Sequence, residues 1–141
     1  MSGEPEHVTK LRAVYAHWND TKGASAEAWL DLMADDVAMR SLPDGNHEMS
    51  FTKGRDGKAQ AAAYFAGLVE DWELIHFTPA EFIASGDRVV VLSRVAFRFR
   101  KTGKVAESPK ADVFRFRDGL IVECAEFFDT AGAFAATRPD A

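Results

Sequence analysis

Hydrophobic residues near the start of the chain recur at steps of three and four, the spacing of a helix that buries one face. Val8, Leu11, Tyr15 and Trp18 follow this spacing, which predicts a helix over about residues 6–20. We expect its apolar stripe to pack against the rest of the protein.

Two more helices are predicted in the first half of the chain. Ser25 is placed to cap a short helix that carries Trp29, and Asp35-Asp36 is expected to end that helix. A third helix is predicted over about residues 58–70. Between them, residues 37–42 alternate as a short strand does. The polar segment that follows is predicted to be a long loop or flap with at most a fragment of strand.

From Trp72 onward the hydrophobic period changes from 3.6 to 2, which indicates β-strands. Asp118-Gly119 and Thr102-Gly103 have the composition of tight turns between antiparallel strands, and Pro109 is expected to interrupt one strand. The predicted strands are residues 72–78, 81–84, 88–100, 105–117 and 120–129.

Helices followed by an antiparallel meander predict an α+β fold, with three N-terminal helices on one face of a curved antiparallel sheet. A sheet bent over a long helix encloses a pocket. The chain has 141 residues, of which 47% are hydrophobic, and residues 1–141 are predicted to form a single domain.

Composition excludes several classes of function. A net charge of −5 argues against sequence-independent binding of nucleic acid, and no apolar stretch approaches the roughly 20 residues of a membrane span. The N-terminus lacks a signal-peptide pattern, so a cytoplasmic location is expected. The lone Cys124, the spacing of the histidines and the absence of a phosphate-binding loop predict no disulfide, no metal and no cofactor.

The hairpin around Thr102-Gly103 predicts which side chains share a face of the sheet. A two-residue turn there pairs Ser93 with Asp112 and Val91 with Phe114 on a largely apolar face. Burial among such residues favours the neutral form of the Asp112 carboxyl group, which could then move a proton near neutral pH. The alternative is a structural Asp112 bonded to Ser93 or to a neighbouring strand, and a one-residue slip would turn it outward.

The opposite face of this hairpin combines apolar residues with arginines. Such a patch is typical of an association surface, so a homodimer through the outer sheet face is predicted. If Asp118-Gly119 is also a two-residue turn, the outer face contains Val90, Leu92, Val113, Val122 and Cys124, with Glu107 and Glu126 as acidic partners for the arginines.

Several segments spread over nearly the whole chain resemble one known group of proteins. They are Tyr15 to Trp18, Leu32 to Val37, Tyr64-Phe65, Gly86 to Val89, Ala111 to Ile121 and Phe128 to Ala131. On these segments the chain resembles the nuclear transport factor 2-like superfamily, specifically its SnoaL-like and ketosteroid-isomerase-like members. The resemblance implies a cone-shaped α+β fold that commonly dimerises through its sheet, but this fold hosts many reactions.

The resemblance also implies roles for particular residues. In ketosteroid isomerases a tyrosine of the first helix and a protonated aspartic acid of a late strand bind the developing oxyanion, and the similar positions here are Tyr15 and Asp112. SnoaL-type cyclases have an acid/base Asp in a sequence context similar to that of Asp112. The proton-abstracting Asp of the isomerases falls on Ser41, a departure that Asp44 would repair only if its loop folded inward.

Further candidates follow from position in the predicted elements. His76 shares its predicted strand face with Trp72 and Leu74, so it is either a second base in the pocket or a histidine at its rim. Another histidine, His47, falls in the polar loop beside Glu48. The residues expected to contact a ligand are Trp18, Ser41, Ser93 and Phe114.

Two hypotheses about function remain open at this level. The first is cofactor-independent acid/base chemistry, of the isomerase, cyclase or dehydratase type, on a small apolar carbonyl compound. Its catalytic residues would be Asp112, Tyr15 and His76. The second is a module that binds an apolar ligand or assembles as a dimer without chemistry. The pairing of Tyr15 with Asp112 favours the enzyme, and Ser41 favours the module.

Overall fold

The computed structural model describes residues 4–46 and 49–140, so the predicted loop residues His47 and Glu48 lie outside the described part. The helices are α1 (Glu6–Asp20), α2 (Ala26–Asp31), α3 (Lys58–Asp71) and α4 (Thr130–Thr137). The strands are β1 (Met33–Ser41), β2 (Arg55–Asp56), β3 (Trp72–Ser85), β4 (Arg88–Phe99), β5 (Val105–Arg117) and β6 (Leu120–Phe128).

The first half of the chain follows its hydrophobic pattern closely, with two departures at α2. Ser25 precedes α2, but its hydroxyl does not cap the helix as predicted. Helix α1 has the predicted bounds and buries the predicted apolar stripe. Asp35 and Asp36, however, do not end α2, because β1 already begins at Met33 and includes both of them. The alternating burial of Val37 and Met39 extends this strand. The long loop after β1 contains a short 3-10 turn, Ser50–Thr52, and the two-residue strand β2.

The six strands form one curved, open sheet in the order β2-β1-β6-β5-β4-β3. Neighbouring strands are antiparallel except for β1, which lies parallel to β6. Helix α1 packs on β3, α3 packs on β1 and β3, and α2 contacts both of these helices. The class is therefore α+β, as predicted, although one strand pair is parallel. Within the described residues, no helix combines the length and the apolar character that a membrane crossing requires.

Strand β3 is continuous where the sequence predicted two strands. Irregularities between Leu74 and His76, and between Pro79 and Glu81, bend it without ending it. The first irregularity reverses the alternation of side chains. Leu74 and Phe77 consequently face the helices, and His76 lies on the other face opposite Ala96.

The β4–β5 connection is longer than the sequence suggested. The N–H of Phe99 donates to the carbonyl of Lys104 at 2.8 Å, so four residues rather than two form the turn. Asp112 therefore pairs with Val91 instead of Ser93. A shift of two residues keeps every side chain on its predicted face, and Asp112 remains inward. Strand β5 also runs through Pro109, which precedes the first residue paired with β6 and so has a neighbour on one side only.

The β5–β6 hairpin has the predicted two-residue turn, with Arg117 opposite Leu120. An irregularity between Arg115 and Phe116 then moves the pairing by one residue. Cys124 lies opposite Phe114, and Glu126 lies opposite Asp112. The prediction that Cys124 and Glu126 lie on the outer face was therefore wrong, because a shift of one residue exchanges the two faces.

Helix α4 was not predicted from the sequence. Asp129 caps it by accepting a hydrogen bond from the N–H of Gly132 at 3.0 Å. The helix packs on β5 and β4 beside the β4–β5 turn, where Thr102 donates to the carbonyl of Ala136. This placement brings Ala133 to the wall of the cavity between the sheet and the helices.

Candidate functional site

A cavity lies between the inner face of the sheet and the helices. The volume of this cavity that is open to the centre of a water-sized molecule is about 90 Å³, which is more than a single water molecule needs. Its wall is mainly apolar and rich in aromatic residues, which include Trp18, Trp29, Phe51, Trp72, Phe77 and Phe114. Such a wall favours a small ligand with a flat or apolar body.

Tyr15 and Asp112 meet at the wall of this cavity. The Tyr15 hydroxyl donates to Asp112 Oδ2 at 2.5 Å, and both residues are buried, Asp112 with 4% of its surface exposed. The ring of Tyr15 is fixed by Trp29 at 4.9 Å and Phe77 at 5.3 Å between ring centroids. The two residues therefore come together from α1 and β5 across the core of the protein.

Lys110 joins Asp112 to a second carboxylate. Its Nζ lies 2.9 Å from Asp112 Oδ1 and 2.9 Å from Glu126 Oε1. Glu126 also accepts hydrogen bonds from the hydroxyl groups of Ser41 and, at 3.0 Å, of Tyr64. We call Tyr15, Ser41, Tyr64, Lys110, Asp112 and Glu126 the polar cluster. It contains two carboxyl groups and one ammonium group.

The surroundings fix the protonation of several members of this cluster. Burial lowers the pKa of Lys110, but the charges of Asp112 and Glu126 outweigh burial and raise that pKa above its ordinary value. Lys110 is thus an ammonium group at neutral pH and not an amine nucleophile. Burial, together with the nearby carboxylates, raises the pKa of both Tyr15 and Tyr64, so their hydroxyl groups remain hydrogen-bond donors.

Cys124 is part of the same environment. It lines the cavity, and burial together with the charges of Asp112 and Glu126 raises the pKa of its thiol well above the ordinary value. A thiol that resists ionisation is a poor nucleophile. We therefore give Cys124 no role in covalent chemistry.

The structure separates the other predicted site residues into two groups. Trp18 and Phe114 line the cavity, and Ser41 reaches the polar cluster through Glu126. Ser93 is buried, and its hydroxyl has no partner among the described residues, but it does not line the cavity. Asp44 accepts from the N–H of Gly54 in an exposed part of the loop instead of folding inward.

The hypothesis that His76 is a second base in the pocket is not supported by its position. The irregularity in β3 places its side chain on the outer face, where its Nδ1 lies 3.3 Å from the Thr78 hydroxyl. Phe77 occupies the inward position that a regular strand would have given to His76. The second titratable partner of Asp112 is Lys110.

Sequence reasoning missed Lys110, Tyr64 and Glu126. Lys110 has the same parity as Asp112 and Phe114 along β5, so the alternation did contain a signal for it. Glu126 had no such signal, since the irregularity in the β5–β6 pairing decides its face. Ser41 and Glu126 are register partners on β1 and β6. A carboxylate thus lies beside the position where the resemblance to the isomerases places an Asp.

A family model identifies the group of proteins to which this fold belongs. The model described as the SnoaL-like domain matches residues 11–124. The chain therefore belongs to the SnoaL-like domain family. None of the curated protein sequences matches it.

Solved structures show the same fold. An NTF2-like protein of unknown function from Burkholderia pseudomallei has a TM-score of 0.83 and 22% identity, over 94% of this chain and 98% of that one. TerC, co-crystallised with polyporic acid, has a TM-score of 0.76 and 25% identity, over 92% and 96%. A hypothetical protein with a ketosteroid isomerase-like fold from Catenulispora acidiphila, in complex with trimethylamine, has a TM-score of 0.74 and 19% identity, over 98% and 96%.

Proposed function

We propose that this protein is a cofactor-independent enzyme that moves a proton within a small, largely apolar carbonyl compound, in a reaction of the isomerase, cyclase or dehydratase type. Asp112 is the acid/base, and Tyr15 is the donor to the developing oxyanion. The observation that supports this proposal best is the buried hydrogen bond between Tyr15 and Asp112 at the wall of an aromatic cavity.

The proposed step begins with a carbonyl ligand held against the aromatic wall. Asp112 takes a proton from the carbon next to the carbonyl group, the electron pair of that C–H bond forms a carbon–carbon double bond, and the carbonyl oxygen becomes negative. Tyr15 keeps its proton because burial raises the pKa of its hydroxyl. Once Asp112 is neutral, Tyr15 is free to donate to the new oxyanion.

Similar structures with bound small molecules support a small-molecule ligand. Two of the similar structures contain polyporic acid and trimethylamine, respectively, which indicates that this fold accommodates small organic molecules. A further similar structure is described as a putative SnoaL-like polyketide cyclase from Jannaschia. From these structures we carry over to this protein only the small size and the organic character of the ligand.

The test begins with native mass spectrometry of the purified protein against a panel of small aromatic and alicyclic ketones. For each ketone that binds, exchange of the hydrogen next to the carbonyl group is followed by NMR in D₂O. We expect the protein to accelerate this exchange and Asp112→Asn to slow it on the order of 10²- to 10⁴-fold while binding persists.

Asp118→Asn is the matched control for this substitution. Asp118 lies at positive φ in the exposed β5–β6 turn, a conformation that asparagine also accepts, and its variant should exchange at the normal rate. Ligands that bind without any accelerated exchange would instead establish the non-catalytic binding module.

We also propose a homodimer through the outer face of the sheet. Two rows of apolar residues that run across neighbouring strands support this dimer. The first row consists of Ile83, Val90, Val113 and Ala125, and the second consists of Leu92, Ala111 and Phe127. We call these seven residues the outer patch. Ile83 and Phe127 are 48% and 42% exposed, and large side chains in adjacent rows form a contiguous apolar surface.

A further inference from the structure

The cation of the polar cluster, Lys110, has no role in the proton transfer described above. Lys110 lies between Asp112 and Glu126, 2.9 Å from an oxygen of each, and its Nζ also lies 5.0 Å from the centre of the Phe77 ring. Only 11% of its side chain is exposed. A buried ammonium group at this place is costly unless its charge is paired, so the two carboxylates are the reason that it is accommodated.

The two carboxylates are not equivalent. Among the described residues, Glu126 accepts hydrogen bonds from Ser41 and Tyr64 and forms an ion pair with Lys110. Asp112 accepts one hydrogen bond, from Tyr15, and its Oδ1 forms an ion pair with Lys110 but has no hydrogen-bond partner among these residues. Because more donors reach Glu126, it is the carboxylate that is held more firmly in place.

We propose that Lys110 is a catalytic residue, an ammonium group that leaves Asp112 for the oxyanion of the reacting ligand while Glu126 holds it in place. This inference rests on the proposed function. It follows from charge balance: when Asp112 takes the proton from carbon it becomes neutral, and the same step makes the ligand oxygen negative. The total charge of the site does not change, so Lys110 exchanges one negative partner for another without a further ion entering the core.

This role also specifies the ligand class. The site should bind a ligand whose oxygen ionises, such as an enol or a phenol, more strongly than an ether of the same size, because only the former supplies an anion for Lys110. A ligand that is already a carboxylate or a phosphate should bind poorly, since Asp112 and Glu126 together outnumber the single ammonium group.

The experiment uses 4-nitrophenol, whose phenol and phenolate forms have different absorption spectra, with the full-length protein. Bound to the unchanged protein, the probe should ionise at lower pH than free probe, since its proton passes to Asp112 and its oxygen meets Lys110. Glu126→Gln retains an acceptor for Lys110 and should still ionise the probe. The double variant Glu126→Gln/Lys110→Met has the same formal charge as the original cluster, because it lacks one negative and one positive group. Compared with Glu126→Gln alone, it lacks only the ammonium group.

In the double variant the probe should bind as the neutral phenol, with affinity for the phenolate reduced on the order of 10²-fold. Lys110→Arg should retain part of the effect, because the cation is kept. Glu123→Gln is the control and should behave as the unchanged protein. Glu123 lies on β6, as Glu126 does, but on the exposed side, where it pairs with Arg115.

Equal ionisation of the bound probe with and without Lys110 would overturn the proposal, and so would failure of the unchanged protein to bind the probe. These readouts are separate from the exchange assay. If Lys110 lowers the pH at which the bound probe ionises but the protein does not accelerate hydrogen exchange, the proposed reaction is wrong. The site would then be one that binds an oxyanion without catalysis.

Discussion

The ring of Tyr15 packs in the core, and its hydroxyl takes part in the proposed chemistry. A substitution that removes only the hydroxyl therefore tests the second role alone. Tyr15→Phe keeps the ring contacts with Trp29 and Phe77 and removes one donor from a buried carboxylate. We expect the free energy of unfolding to fall by about 1–3 kcal/mol, measured by urea denaturation.

The cause can be tested with a double-mutant cycle. In an Asp112→Asn background the same loss of the hydroxyl should cost clearly less, because no carboxylate is left without its donor. An equal cost in both backgrounds would contradict the coupling between Tyr15 and Asp112.

The buried titratable groups predict a loss of stability in alkaline solution. Cys124, Tyr15, Tyr64 and Lys110 all have pKa values above their ordinary values of 9.0, 10.0, 10.0 and 10.5. As pH rises past each ordinary value, the unfolded chain releases that proton first, so the unfolded state is favoured. Stability should therefore be flat near neutral pH and fall from about pH 9 upward.

Cys124 should set the start of this decline. Cys124→Ala removes the group with the lowest ordinary pKa, so the fall should begin nearer pH 10. Urea unfolding at a series of pH values measures the onset for both proteins. An unchanged onset would show that Cys124 does not contribute to it.

At the scale of elements, the irregularity in β3 decides which of two neighbouring residues reaches the ligand. Phe77→Ala should weaken ligand binding and lower stability by about 3–5 kcal/mol, because it opens a cavity in the aromatic wall. His76→Ala, one residue earlier on the outer face, should leave binding of the same ligand unchanged. Isothermal titration with a ketone found by mass spectrometry compares the two. A large loss of binding in His76→Ala would contradict the observed register.

Helix α4 begins at a side-chain cap in which Asp129 lies close to Gly132. The Asp129 carboxylate approaches Gly132 so closely that an added Cβ would lie 2.6 Å from Asp129 Oδ2. Asp129→Ala should lower the free energy of unfolding by about 1 kcal/mol, which chemical denaturation measures. Asp140→Ala, outside the helix in an exposed ion pair with Lys104, is the control and should change stability by less. Equal effects would indicate that the cap contributes nothing.

The elements also explain how far sequence reasoning reached. Periodicity located α1, α3 and the strands β4, β5 and β6, since each buries a largely regular stripe or alternation. It placed Asp112 inward despite an error of two residues in pairing, because such an error preserves the face. One-residue irregularities reversed the predictions for His76 and Glu126, and nothing in the local pattern marks them. The lysine between the carboxylates was overlooked because lysine is rarely buried without partners, and its second partner was the misplaced Glu126.

At the scale of the whole molecule, the outer patch predicts the oligomeric state. Two arginines of this face are already paired within the chain, Arg115 with Glu123 and Arg98 with Glu73, so the apolar rows and not these two charges would drive association. Leu92→Asp combined with Val113→Asp should convert a dimer into monomers in light scattering at micromolar concentration. Leu120→Asp replaces an exposed apolar residue at the β5–β6 turn and should leave the dimer intact. A monomeric unchanged protein would refute the interface.

The parallel pairing of β1 with β6 has a consequence for the order in which the chain folds. Ser41 and Glu126, which complete one end of the polar cluster, are 85 residues apart in sequence, whereas β3 to β6 are joined by short turns. Contacts between distant residues form late, because closing a long loop costs entropy before any contact repays it. The hairpins of the meander can thus form first, and β1 docks on the last strand afterwards. A growing chain on the ribosome has no complete ligand site until β6 has emerged, so ligand cannot assist the folding of the helices that precede it.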